Sequence, residues 1–229
     1  MSQELNSAVR ELINDYNEIN FKKNPDDFAN NYCATDKTNI LLMNEVTEYN
    51  SYITSGFYAN EFQNTAYEDY DYRKLIYSLY YNTTPIYHCR KFQSSNYVGV
   101  SLFTTEEVML NLAEAYTRKK APDFEKAIGL LNKIREKRFD PYTPITLETL
   151  SAGEGDQKKA VLDKIINERR VELCYEGYRW FDCKRFQIEI KHTIETGTYT
   201  LAGDDLRYAL QIPELELSSN LGMLPNPRQ

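Results

Sequence analysis

Residues 167–186 read NERRVELCYEGYRWFDCKRF, with five cationic and four acidic side chains around one glycine. Glu168 and Glu172 are four apart and share one helical face. A general acid and a general base could face one substrate from such positions. The same spacing serves a plainer purpose, because rows of alternating charge tie helices together as ion pairs. The Arg and Lys residues around them would hold both carboxylates ionised, whereas a general acid must keep its proton. The run is therefore read as a salt-bridge lattice at the turn of a helical hairpin. Gly177 supplies the permissive backbone there, and Arg169, Arg179 and Arg185 stand ready to bind carboxylates through paired hydrogen bonds. No residue is assigned a catalytic role.

Other chemistries find no support in the residues. Cys33, Cys89, Cys174 and Cys183 form no C-x-x-C pair. The last two would be about 13 Å apart along one continuous helix, out of disulfide reach unless a turn at Gly177 brings them closer. His88 and His192 have no ligand spacing around them, so neither a metal site nor a cofactor is expected. There is no Ser/His/Asp ordering and no glycine-rich phosphate loop. A net charge of −7 without a Lys/Arg-rich run argues against nucleic acid or an anionic membrane surface as partner. No apolar run is long enough for a membrane-spanning helix. The first twenty residues, MSQELNSAVRELINDYNEIN, lack an apolar signal core, so no export signal is expected in this chain.

The unusual feature is tyrosine: nineteen in all, eleven of them between Tyr49 and Tyr97. Clustered tyrosines offer broad amphipathic rings with few torsions to freeze, which suits recognition surfaces. Half-burial with the hydroxyl in water is the ordinary fate of a tyrosine and stands beside that reading.

These residues must be positioned by helices. Leu5, Val9, Leu12, Ile13 and Tyr16 give an apolar stripe, and a helix is expected over 1–22, stopped by Asn24-Pro25-Asp26. Residues 23–101 are neither steadily helical nor alternating, and read as a long irregular segment with short helices and one or two strands; NILLM is one short apolar run in it. Thr104 with Glu107 forms a capping-box signature. Leu102, Val108, Leu112 and Tyr116 then mark a face, with Ala113 and Ala115 allowing close approach. Asp123 caps a partner helix carrying Phe124, Ile128, Leu131, Ile134 and Arg138. This hairpin, 102–138, has close to the tetratricopeptide period. After a loop over 139–156, a second hairpin is expected at 157–190, with Val161, Leu162, Ile165, Ile166, Arg169 and Leu173 in register on its first helix. Residues 191–229 read as an irregular tail in which Pro213, Pro225 and Pro227 argue against a final helix. The fold class is mainly α: tetratricopeptide-like hairpins packed against an irregular, Tyr-rich segment with a few short strands, in one domain.

Four elements in order resemble the SusD/RagB family. Glu168-Arg169-Arg170, Glu172-Leu173, Glu176-Gly177, Arg179-Trp180, Asp182 and Arg185 resemble its hallmark run. Asp71-Tyr72-Arg73 resembles its D-x-R element. Leu110 to Tyr116 followed by Asn132-x-x-Arg135 resembles its hairpin, and Ile212-Pro213-x-x-Glu216 through Asn220 to Pro225-Asn226-Pro227-Arg228 its terminal signature. The chain resembles the C-terminal half of such proteins. Cys183 stands where the family usually has an apolar residue, and Cys33 lacks the preceding apolar segment of a lipid-anchor cysteine.

The resemblance implies a non-catalytic surface lipoprotein of Bacteroidetes, at the outer membrane and tethered only through a lipid anchor absent from this chain. It would capture a polysaccharide or oligosaccharide and deliver it to a SusC-like TonB-dependent transporter. Tyr49, Tyr52, Tyr58, Tyr67 and Tyr70 are then the candidate sugar platforms, with Asn60 and Gln63 as polar partners. Trp180 is read as packing. The alternative is a helical-repeat module for peptide or protein ligands, as on the RagB side of the family.

Overall fold

The computed structural model describes residues 7–11, 13–14, 40–45, 66–76, 99–153, 155–174, 176–194 and 197–228. The chain forms two compact units, residues 1–176 and 177–229. In the first unit, residues 7–11 and 13–14 are helical, within the helix expected at the N-terminus. Strand β1 (Ile40–Glu45), in the run read as apolar, pairs antiparallel with β2 (Gly99–Thr104), from Ile40 opposite Thr104 to Glu45 opposite Gly99. A short helix α1 (Arg73–Ile76) lies between them in sequence.

The core of this unit is built by α2 (Thr105–Arg118), α3 (Phe124–Glu136) and α5 (Gln157–Glu172). Thr104 caps α2 by accepting a bond from the Glu107 amide, and Glu106 and Glu107 place negative charge at the positive helix end. Asp123 caps α3 by accepting from the Lys126 amide, while its own amide donates to the Tyr116 carbonyl. That pair of bonds fixes the turn of the hairpin. Met109, Leu110, Ala113, Ala127, Leu131, Ile134, Val161 and Ile165 are buried at its centre. Each large aliphatic chain there contributes about 1.5–3 kcal/mol through burial.

The buried stripe of α2 differs from the one expected. Val108, Leu112 and Tyr116 flank it, and Ala115 is exposed. The positions turned inward are Thr105, Glu106, Met109, Leu110, Ala113, Glu114 and Thr117. Apolar periodicity missed the inward face because that face carries two glutamates and two threonines. The loop after α3 also holds one more element, α4 (Leu147–Ser151), started by a reciprocal capping pair between Thr146 and Thr149. On α5 Val161, Ile165 and Arg169, with Leu173 just past its end, are buried as expected, while Leu162 and Ile166 are half-buried.

The second unit opens with α6 (Tyr178–Phe186). Gly177, at its N-cap, has φ +84°, the left-handed backbone a side chain would resist. This helix was expected to run to about residue 190. It stops at Phe186 because Gln187 turns left-handed and the Ile188 amide bonds back to the Cys183 carbonyl. β3 (Ile190–Ile194) and β4 (Gly197–Leu201) follow as an antiparallel hairpin. Trp180 rests on the ring of buried Tyr208 with centroids 5.0 Å apart, while the Tyr208 hydroxyl donates to the Ile188 carbonyl at 2.7 Å.

The tail is less irregular than expected. Residues 214–219 form α7 (Glu214–Ser219) directly after Pro213. Proline is tolerated there because the first helical turn has no use for its missing N–H. The Pro213 carbonyl instead accepts from the amides of Glu216 and Leu217. Pro225 and Pro227 fall beyond the helix end. Among the described residues no helix is long and apolar enough to cross a membrane.

Gly203 is the tightest point of the second unit, since a Cβ there would lie 1.9 Å from the Gln187 carbonyl oxygen. Gly203→Ala must push two backbone segments apart, and we expect it to cost about 1–3 kcal/mol locally. Hydrogen exchange should then quicken across residues 188–208 while protection in α5 is unchanged. Unaltered exchange in both regions would contradict this close approach.

Candidate functional site

The charged residues of the hallmark run meet partners from distant parts of the chain. Arg73 holds Asp71 through two parallel bonds, Nε to Oδ1 at 2.9 Å and Nη2 to Oδ2 at 2.7 Å. Its Nη1 donates to Glu172 Oε2 at 2.7 Å. The same nitrogen lies 2.7 Å from Glu168 Oε1, an ion pair without hydrogen-bond alignment. Arg138 takes the other side of Glu172, with Nη2 at 2.7 Å from Oε1, and also reaches Glu106 Oε1 at 2.8 Å. Arg135 bridges Glu168 Oε2 at 3.0 Å and both oxygens of Glu68. Lys164 closes the far end on Glu68. Signs therefore alternate without a break through Glu68, Arg135, Glu168, Arg73, Glu172, Arg138 and Glu106.

Four segments are joined by this series: residues 68–73, α2, the end of α3 and α5. Except for Glu68, its members are buried, and Arg138 has 0% exposure. Burial alone would lower the Arg73 pKa, but Asp71, Glu168 and Glu172 raise it well above the ordinary arginine value. The guanidinium stays charged at any working pH. Phe139 lies between the cations, with its ring centroid 4.2 Å from the Arg135 guanidinium carbon and 5.8 Å from that of Arg73.

The lattice reading of Glu168 and Glu172 is what the structure shows. At 1% and 2% exposure neither carboxylate can touch a substrate. Among the described residues no three His, Cys, Asp or Glu side chains converge as metal ligands would. Arg73, Arg135 and Arg138 each grip a carboxylate through two bonds, as in the second unit do Arg207 on Asp205 and Arg185, whose Nε and Nη2 both lie 2.8 Å from Asp182 Oδ1. Of the three expected in that role, Arg185 fills it on Asp182, Arg169 donates to Asn111 Oδ1 at 2.6 Å, and the buried Arg179 Nη1 has no hydrogen-bond partner among the described residues. Sequence reasoning missed Glu106 and Arg138 as network members; a charged residue on the inward face of an otherwise apolar helix was the available signal.

Tyr49, Tyr52, Tyr58, Asn60 and Gln63 lie outside the described residues. Tyr67 is 7% exposed, and its hydroxyl donates to the Val171 carbonyl at 3.4 Å, so its ring is a packing element closed to a sugar. Tyr70 is the opposite case, 67% exposed although it directly precedes buried Asp71. Its φ of +65° is left-handed, which a bulky aromatic adopts at a cost of about 1–3 kcal/mol when neighbours impose it. Those neighbours are plain. The Tyr72 amide donates to the Arg138 carbonyl at 2.8 Å, the Asp140 amide to the Tyr70 carbonyl at 3.4 Å, and Asp71 forms an antiparallel bridge with Phe139.

A sealed ionic frame with an aromatic ring held on its surface characterises this mainly helical fold. The chain belongs to the SusD family, whose sequence pattern matches residues 7–227. SusD-like protein P2 of Formosa agariphila is 30% identical over 135 residues, 58% of this chain and 26% of that protein. The fold is similar to that of a SusD superfamily protein from Bacteroides vulgatus, with a TM-score of 0.74, 16% identity and coverage of 97% of this chain and 53% of that one. It is also similar to a SusD-like carbohydrate binding protein from the same species, with a TM-score of 0.67, 19% identity and coverage of 95% and 54%. The chain thus spans about half the length of these solved relatives and about a quarter of the curated one.

The motifs that carried the resemblance prove to be ties. Asp71 and Arg73 pair with each other, and Glu168 and Glu172 bind the arginines. The Asn132 amide group brackets Ile145, donating to its carbonyl at 2.9 Å and accepting from its amide at 3.0 Å. In the terminal signature, Asn226 exchanges bonds with Gln211 and Arg228 donates to the Ala209 carbonyl.

Removing one partner of a buried ion pair strands the others, at a cost of about 3–5 kcal/mol. Glu172→Gln keeps the side-chain size but leaves Arg73 and Arg138 short of an anion, and we expect a loss of that order in denaturant unfolding. A change under about 1 kcal/mol, the range of exposed pairs, would sink this account.

Burial alone would raise the Glu68 carboxyl, but hydrogen bonds and charge from Arg135 and Lys164 hold it down at about 2. Protons therefore bind the unfolded chain more readily, and the Glu68 contribution is complete above about pH 4.5 and is lost as pH falls toward about 2. Glu68→Gln should flatten the stability profile across that window and leave the profile above pH 5 parallel to wild type. Identical acid slopes would show that Glu68 gains nothing from its partners.

Proposed function

We propose that the protein containing this chain captures a polysaccharide or oligosaccharide at the outer-membrane surface and passes it, chemically unaltered, to a SusC-like TonB-dependent transporter. The observation that carries this reading is the family match over residues 7–227, joined to the exposed ring of Tyr70. Carbohydrate sites set ring faces against the C–H faces of sugars and add a few polar groups for hydroxyls. Tyr49, Tyr52 and Tyr58 are proposed as further platforms, with Asn60 and Gln63 as their polar partners. One solved relative of the same fold, a SusD-like carbohydrate binding protein, supports the choice of ligand class. Under the peptide reading, Glu114 and Arg118 of α2 would be contact residues, but Glu114 is buried and bonded to Arg118 at 2.6 Å.

Calorimetric titration with α-glucans, xylans, mannans and mucin-type glycans tests the proposal. Saturable binding to one class, weakened in Tyr58→Ala, is the expected result. No heat from any glycan, with saturable heat from a peptide panel and a normal circular dichroism spectrum, would replace it with the peptide reading.

A further inference from the structure

We infer that Tyr70, Tyr72 and Asp140 form a saccharide subsite that takes one neutral pyranose residue; the inference rests on the glycan reading above. Neither a motif nor a spacing in the sequence joins these residues, which are brought together only by the bridge between Asp71 and Phe139.

The isolated antiparallel bridge between Asp71 and Phe139, set between two turns, sorts the side chains. Asp71 and Phe139, directly opposite each other, are both 5% exposed and turn into the ionic frame. Their neighbours Tyr70 and Asp140 are exposed, and Tyr72 is half-buried beside them. The Tyr72 hydroxyl donates to Asp140 Oδ2 at 3.2 Å. A ring face and a carboxylate bonded to a phenol thus stand on two short segments clamped together by backbone bonds at 2.8 and 3.4 Å.

The chemistry of each member matches one part of a pyranose. The Tyr70 ring offers a flat, electron-rich face to the axial C–H side of a sugar. Asp140 accepts hydrogen bonds from neighbouring hydroxyls, and charge-assisted bonds of this kind are strong and short. The Tyr72 hydroxyl commits its proton to Asp140 and so orients that carboxylate. Burial and the Asp140 charge raise the Tyr72 pKa, so the phenol keeps that proton. Preorganisation follows from the frame beneath, because the left-handed backbone of Tyr70 fixes where its ring leaves the surface.

Charge sets the ligand class. Asp69 and Asp140 are exposed on either side of the ring in sequence and across the bridge. The arginines of the region, Arg73, Arg135 and Arg138, are buried below it against carboxylates. A uronate or sulfated residue would approach the Asp69 and Asp140 carboxylates, and among the described residues the arginines nearest in sequence are already held by buried carboxylates. Neutral hexoses and pentoses meet no such repulsion.

Titration of the full chain with the neutral glycan found in the panel above, and with a uronate-containing oligosaccharide of equal length, tests this. Tyr70→Asn suits the left-handed backbone and removes the ring, while Tyr70→Phe keeps the ring. We expect Tyr70→Asn to weaken neutral binding about tenfold and Tyr70→Phe to stay near wild type. Asp140→Asn and Tyr72→Phe should each weaken it about three- to tenfold. Tyr199→Ala, an exposed ring in the second unit, should change nothing. Unfolding curves exclude loss through misfolding. Wild-type binding that Tyr70→Asn and Asp140→Asn leave intact would overturn the subsite and leave glycan capture standing. Preference for the uronate oligosaccharide would overturn the neutral class. Silence of the wild type toward every glycan would remove both readings at once.

Discussion

The carboxylate of Glu172 lies between two guanidiniums, Arg73 on one oxygen and Arg138 on the other. Much else in the first unit depends on that contact. Arg73 is bound to Asp71 on a segment that precedes the helices by some thirty residues, and Arg138 lies just past the end of α3. Hydrophobic burial brings α2, α3 and α5 together but is indifferent to small slides along their axes. Paired charges in a dry interior are not, because a guanidinium displaced by a few tenths of a turn loses its partners and its solvation together. The network therefore acts as a register mark. It fixes which residues of 66–73 face the core, and the aliphatic stripe supplies the bulk of the stability around it.

How far this was legible from sequence varies residue by residue. The spacing of Glu168 and Glu172 identified a charged lattice because i,i+4 geometry is local. Their partners were not legible, since Arg73 and Arg138 arrive from 99 and 34 positions away, and no local rule reports that. Thr104 and Asp123 were correctly read as caps for the same reason that α5 was read in register: the determining interaction spans a turn or two. The stripe of α2 went wrong where tertiary charge pairing overrode apolar patterning at Glu106. Pro213 misled because a proline that forbids the interior of a helix is welcome at its start.

The candidate site divides along the same line. Abundant tyrosine was visible, but burial was not, and Tyr67 and Tyr70, three residues apart, fall on opposite sides of that division. One gives its hydroxyl to a backbone carbonyl inside; the other projects outward from a backbone that aromatic residues rarely adopt. Asp140 had no signal at all in a Pro- and Thr-rich loop. It becomes a neighbour of Tyr70 only when the strand-like bridge forms.

The left-handed backbone at position 70 has an evolutionary consequence. Because the torsion is imposed by the frame on both sides, exchanging the side chain there leaves the frame untouched, so the surface can be retooled one residue at a time. The alphabet open to such retooling is short, however. β-branched residues are penalised by the torsion, while asparagine, aspartate, histidine and glycine tolerate it. Among ring-bearing residues, histidine fits this backbone most readily and exchanges a hydroxyl for a titratable nitrogen. Substitution at this position would thus move between an aromatic face, a small polar contact and a pH-sensitive one, with few stops between.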